Sequence, residues 1–104
     1  MKKLISYQLE GAWGNNYYSI HAVQAQDGDS IRWIYYIWRE DWSDVGGPES
    51  GPRMAKELNF VGEHTPHANN QSDQPGDAQA VLADWAYWVQ MEIDHPHMFE
   101  MEEN

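Results

Sequence analysis

Residues 30–40, SIRWIYYIWRE, decide the fold, because almost every position in the stretch is β-branched, aromatic or charged. β-Branched and aromatic residues favour extended structure, so the stretch predicts a β-strand. Both of its faces are rich in large side chains: Ile31, Trp33, Tyr35 and Ile37 on one, and Ile34, Tyr36 and Trp38 on the other. A strand with one face toward water should have a polar second face. We therefore expect both faces to be covered within the domain, the alternative being that one is a docking surface.

Two further strands precede this one. Residues 4–13 alternate between apolar and polar side chains, and residues 17–25 form a second segment with the same period of two. The intervening segments, Gly14-Asn15-Asn16 and Asp27-Gly28-Asp29, contain residues that adopt the positive φ angles of tight turns. Short turns join neighbouring antiparallel strands, so the sequence predicts a three-stranded antiparallel β-meander.

A long helix is predicted over residues 77–94. Asp77 follows Pro75-Gly76, where an N-capping carboxylate is favoured, and Pro96 disfavours helical geometry at the preceding residue. The apolar residues that recur along one side of this helix are Ala78, Val81, Leu82, Trp85, Val89 and Ile93. A stripe of this kind is typical of a helix packed across a sheet. The expected fold is therefore α+β, a three-stranded antiparallel β-meander packed against a long C-terminal helix.

The remaining segments are assigned by composition. A proline at the first turn predicts a possible short helix over residues 52–60, and the polar residues 61–76 predict an exposed loop. Residues 95–104 form an acidic tail. With 104 residues in all, the chain is expected to be a single domain, 1–104.

Composition restricts the compartment and the partners. The absence of cysteine fits a reducing compartment, and polar residues interrupt the apolar start of the chain, so we expect a cytoplasmic protein without a signal or a membrane span. A formal net charge of −11 makes nucleic acid and anionic membranes poor direct partners.

Histidine is the one residue type that indicates metal chemistry. The candidate ligands are His64, His67, His95 and His97. Neither pair has the i, i+4 helical spacing of a metalloprotease, and prolines place both pairs in loops. The sequence also lacks a phosphate-binding loop, a nucleophile elbow and a cysteine nucleophile. We therefore expect no catalytic residues, no metal and no cofactor, and a metal-binding module or enzyme remains an alternative.

Charge is distributed unequally along the chain. All six lysines and arginines lie in residues 1–56, whereas residues 57–104 carry ten acids and no base. An uninterrupted anionic half attracts cationic surfaces at long range. The predicted partner-binding residues are Asp77, Asp84, Tyr87, Trp88, Glu92, Asp94, Phe99, Glu100, Glu102 and Glu103.

These features predict a small acidic, non-enzymatic inhibitor that binds the basic, nucleic-acid-binding surface of a target protein by mimicking nucleic acid. Carboxylates can pair with the arginines and lysines that normally hold phosphates. In size and charge alone, the chain is similar to phage-encoded inhibitors of bacterial defence, such as anti-restriction and anti-CRISPR proteins. Alternatives are an immunity protein or antitoxin, and an acidic surface that serves only solubility. The third strand is also a possible homodimer seam.

Overall fold

The computed structural model describes residues 4–49, 51, 53–66 and 70–96. Within them lie four strands and one helix: β1 Ser6–Trp13, β2 Asn16–Asp27, β3 Ser30–Asp44, β4 Met54–His64 and α1 Ala78–Asp94. Each strand pairs antiparallel with the next, and the order in the sheet is β1-β2-β3-β4. The prediction of an antiparallel sheet with a C-terminal helix is confirmed, but the number of strands, three, is wrong.

The fourth strand replaces the short helix predicted over residues 52–60 and the beginning of the loop predicted over residues 61–76. Its middle, Ala55-Lys56-Glu57-Leu58, consists of good helix formers, which made the local propensity misleading. Strand β3 runs to Asp44, four residues beyond its predicted end, and β4 pairs with it from Tyr35 to Asp44. Pairing with this long neighbour overrides the local preference, since strand formation depends strongly on context.

The hydrophobic core lies between one face of the sheet and the first half of α1. Its buried members are Tyr18, Ile20, Ala22, Trp33, Tyr35, Ile37, Val81 and Leu82. The helix approaches β1 at Gly11, where an added Cβ would lie 3.1 Å from both Ala78 Cβ and Leu82 Cδ1. A glycine at this position therefore allows the close approach of helix and strand.

The segment between β4 and α1 closes one end of the core by hydrogen bonds. Trp33 Nε1 donates to the carbonyl of Ser72 at 2.8 Å, and Asn70 Nδ2 donates to the carbonyl of Trp33 at 3.0 Å. The backbone N–H of Gly76 donates to the hydroxyl of Tyr35 at 2.7 Å. Burial raises the pKa of this Tyr35 hydroxyl, which stays protonated at neutral pH. Loop and core are thus joined through the polar ends of two buried aromatic residues.

Beyond the helix, β3 and β4 continue as a two-stranded hairpin with its own polar contacts. A bulge lies between Ile37 and Trp38 in the register with β4, and Gly62 on β4 has a φ of +146°. Further along, Asp41 accepts hydrogen bonds from Arg39 and Asn59. The Arg39 guanidinium is the main reason why the pKa of Asp41 lies below its ordinary value. Among the described residues, no helix has both the length and the apolar character needed to cross a membrane.

One face of the sheet has no cover from the part of the chain that the structure describes. Trp33, Tyr35 and Ile37 point into the core, whereas Trp38 on the opposite face lies against Phe60, which is 56% exposed. No described element packs over that opposite face. The expectation that both faces of the third strand would be covered within the domain is therefore wrong for the described residues.

Candidate protein-binding surface

The second half of α1 is exposed, although the sequence predicted an apolar stripe along its full length. Val81 and Leu82 are buried as expected, but Val89 is 38% and Ile93 is 67% exposed. Among residues 87–94, Met91 is partly buried and all the others are exposed. The stripe was predicted correctly as a periodic pattern, yet the sheet covers only its first half. The helix therefore presents apolar side chains where it leaves the core.

The exposed apolar side chains surround a shallow groove of about 580 Å³. Trp13, at the end of β1, forms one wall, and the helix forms the remainder with Ala83, Trp85, Ala86, Tyr87, Val89 and Gln90. Tyr87 and Trp88 also meet edge to face, with ring centroids 5.4 Å apart. Aromatic side chains around a concave apolar surface are typical of the central residues of protein–protein interfaces.

We call this region the helix-end surface. It consists of Trp13, Trp85, Tyr87, Trp88, Val89, Glu92, Ile93 and Asp94. Both of its acids are exposed, and successive residues of a helix are 100° apart, so Glu92 and Asp94 face nearly opposite sides of α1. The described part of α1 carries no lysine or arginine. An apolar centre with carboxylates on two sides suits a partner that has apolar and cationic groups.

Two of the predicted partner-binding acids help to position α1, and a third, Asp94, accepts a hydrogen bond from Nε2 of Gln90 within the helix at 3.0 Å. Asp77 is the N-cap of α1, and its side chain accepts a hydrogen bond from the N–H of Ala80 at 3.4 Å. The carboxylate of Asp84 lies 2.6 Å from Nε2 of His64, a buried histidine on β4. Asp84 thus ties the helix to the sheet edge, and its side chain is 45% exposed. The acids that the described helix offers at its outer end are therefore Glu92 and Asp94.

The other predicted partner-binding residues lie beyond the described part of the chain. They are Phe99, Glu100, Glu102 and Glu103. Among the predicted residues that are described, Tyr87, Trp88, Glu92 and Asp94 all lie in the second half of α1, distributed around the helix. Trp13 was missed as a member of this surface, because its proximity to the helix depends on how α1 packs on β1. The turn signal after Trp13 places it at a strand end but does not reveal its neighbour.

The candidate metal ligands are dispersed where they are described. His64 is paired with Asp84, and the N–H of His95 caps the helix by donating to the carbonyl of Met91 at 2.8 Å. His67 and His97 lie outside the described residues. In the described ranges, no group of three or more histidine, cysteine, aspartate or glutamate side chains has the arrangement of a metal site. The described geometry therefore offers no ligand set on which metal chemistry can be argued.

Comparisons of the chain with protein-family models, with curated proteins and with solved structures find no match. The geometry and charge of the helix-end surface are therefore the features from which a function can be inferred.

Proposed function

We propose that this chain is a non-enzymatic inhibitor that binds the basic, nucleic-acid-binding surface of a target protein through the helix-end surface. The observation that carries the proposal is the exposure of Tyr87, Val89 and Ile93 beside Glu92 and Asp94, where α1 leaves the core. Exposed apolar clusters flanked by polar side chains mark interaction sites more often than single exposed apolar residues do. The target therefore supplies an apolar side chain to the groove and cations to its rim.

Charge determines which class of partner is attracted. The chain carries a formal net charge of −11, so a basic protein is attracted over long range and the association rate falls with increasing salt. The nucleic-acid-binding surface of the target normally holds phosphates. In the proposed complex, carboxylates of this chain replace the phosphates as partners of the target's arginines and lysines. The aromatic residues contribute most of the short-range affinity, since such anchors dominate typical interfaces.

The test uses two charge-reversal variants with equal changes in net charge. Glu92→Lys/Asp94→Lys alters the helix-end surface, and the control Glu49→Lys/Glu57→Lys alters the β3–β4 loop and β4. Proteins captured from a host lysate by the unmodified chain are identified, purified and assayed for binding to labelled duplex DNA in its presence. We expect the chain to displace DNA, and the helix-end variant to lose about tenfold or more in affinity while the control loses clearly less.

Two results would count against the proposal. Equal losses for the two variants would mean that bulk charge, rather than the helix-end surface, determines binding. A captured protein that binds the chain and DNA together would show that the chain does not occupy a nucleic-acid-binding surface. Replacing Tyr87 with alanine provides an independent check, because loss of an anchoring aromatic residue lowers affinity without altering net charge.

A further inference from the structure

The uncovered side of the sheet is a second apolar surface, on the opposite face of the sheet from α1. We call it the open sheet face. Its apolar part, with two charged residues, consists of Tyr17, Ile34, Tyr36, Trp38, Trp42, Met54, Lys56, Leu58, Phe60 and Glu63. The registers place a polar part on the same face, consisting of Gln8, Glu10, Ser19, His21 and Glu40. Tyr17 is 63% exposed and Trp42 is 52% exposed. Near the centre of the face, the rings of Trp38 and Phe60 lie edge to face with centroids 5.3 Å apart. An antiparallel sheet facing water normally has a polar outer face, so the mainly apolar part of this face on β3 and β4 indicates an interface.

The size of this face matches what a stable dimer needs. Strands of 8, 12, 15 and 11 residues, with a rise of about 3.3 Å per residue and about 4.8 Å between strands, cover roughly 700 Å² in flat projection. The accessible area of a surface with protruding side chains exceeds its flat projection. A standard interface buries about 800 Å² per partner, so two such faces packed together are of comparable size.

The two charged residues of β4 on this face are placed so that the strand complements a second copy of itself. In the register with β3, Lys56 lies opposite Trp42 and Glu63 lies opposite Tyr36, so both are side chains of the open sheet face. The point midway between these two positions of β3 is next to Trp38. Consider a two-fold axis that passes over this point, lies between the two sheets and runs perpendicular to the strands. It places Lys56 of one copy over Glu63 of the other, and the reverse pair follows by symmetry.

We propose that two copies of this chain form a two-fold homodimer by packing their open sheet faces together. The Trp38–Phe60 cluster lies at the centre of the interface, and reciprocal Lys56–Glu63 pairs on either side determine its alignment. Two sheets packed in this way lie about 10 Å apart, with their side chains interdigitated. Because α1 packs on the opposite face of each sheet, the helix-end surface of each copy remains exposed in the dimer.

Self-association and capture of a basic partner should respond to salt in opposite directions. Each copy has a formal net charge of −11, so two copies repel at long range, and added salt screens this repulsion. Salt weakens attraction to a basic partner by the same screening. The dimer inference therefore does not depend on the proposed inhibitory function, and either can fail alone.

The test is sedimentation equilibrium of the full chain over a range of concentrations, at low and at high sodium chloride. We expect a monomer–dimer equilibrium that shifts toward dimer at high salt. Phe60→Ser should weaken dimerisation about tenfold or more, since it removes a central aromatic side chain. Ile93→Ser is the matched control, an exposed apolar residue on the helix-end surface, and it should leave the dimer unchanged. Circular dichroism verifies that each variant is folded.

A charge-swap series tests the alignment. Lys56→Glu and Glu63→Lys should each weaken the dimer, because each change places like charges opposite one another, and the double variant should restore association. Failure of the double variant to restore it would overturn the alignment. A chain that remains monomeric at every concentration and salt level would overturn the dimer and would leave residues 97–104 or a different protein as the occupant. A dimer that Ile93→Ser disrupts and Phe60→Ser does not would overturn the assigned face.

Discussion

At the scale of single residues, the contact between His64 and Asp84 is a tertiary link between the sheet and the helix. His64 is buried on β4, and its Nε2 lies 2.6 Å from the Asp84 carboxylate on α1. A buried polar group that loses its hydrogen-bond partner carries a desolvation cost. The pair therefore fixes the helix against the edge of the sheet where apolar contacts become sparse.

Replacing Asp84 with alanine should lower the free energy of unfolding by about 1–3 kcal/mol, because His64 would remain buried without its partner. Urea unfolding monitored by tryptophan fluorescence measures the change. Asp84→Asn is the control, since its amide oxygen can still accept a hydrogen bond. A double-mutant cycle with His64→Ala separates the contact from the other effects of each substitution. A coupling free energy near zero would show that the pair does not stabilise the fold.

Asp44 acts on the loop between β3 and β4. Its Oδ1 accepts hydrogen bonds from the backbone N–H groups of Arg53 and Gly46, both at 2.9 Å, and these bonds hold the Asp44 pKa below its ordinary 3.8. The native state therefore favours the ionised carboxylate. Its stabilising contribution is complete above pH 3.8 and is lost as pH falls through the lowered native pKa.

An NMR titration should show the Asp44 carboxyl titrating below pH 3.8 and the amide signals of Gly46 and Arg53 shifting together with it. Asp44→Asn should remove this pH dependence from both amides, because no group at that position would then titrate. A native pKa at or above the ordinary value would contradict the expected role of the two backbone donors.

At the scale of elements, α1 depends on a close approach to β1. Gly11 lies opposite Tyr18 in the sheet and beneath the first half of the helix, where Ala78 and Leu82 leave no room for a larger side chain. Protein interiors are close-packed, so a larger side chain at this contact would displace the whole helix relative to the strand. The position of the helix-end surface relative to Trp13 is therefore determined near Gly11.

Gly11→Val should destabilise the fold by about 1–3 kcal/mol, because overpacking forces the helix away from the strand. Thermal unfolding measures the loss, and the near-ultraviolet circular dichroism of the protein should change as Trp85 moves with the helix. Ala12→Val is the matched control, since residue 12 points to the opposite side of the strand. Equal effects of the two substitutions would mean that the close approach is not a constraint.

At the scale of the whole molecule, the formal net charge of −11 acts on stability as well as on binding. Like charges repel in the compact state, and added salt screens them. We therefore expect the unfolding midpoint to increase between low and moderate sodium chloride at a protein concentration below that of dimerisation. The variant Glu49→Gln/Glu57→Gln should show a smaller increase, because it removes two negative charges outside the core. An unfolding midpoint independent of salt would contradict this account.

The sequence contains enough local information to predict the antiparallel meander and the C-terminal helix. Alternation between Ser6 and Trp13, the glycine turn at Gly28 and the cap at Asp77 are local signals that act through backbone geometry. It also determined the charge asymmetry and the aromatic content from which a binding function is proposed. These features can be predicted without knowing which segments of the chain contact each other in the fold.

Which neighbours each segment contacts, and therefore which of its residues are buried, depends on tertiary packing. Residues 54–60 form a strand because β3 extends far enough to pair with them, and this pairing outweighs the helical preference of their side chains. The period of α1 predicts which residues share a side, but the length of the sheet decides that Leu82 is buried and Ile93 is exposed. Likewise, the sequence shows that Trp38 belongs to an apolar face, and only the packing leaves that face open. Burial depends on contacts between residues distant in sequence, and a local pattern does not contain those contacts.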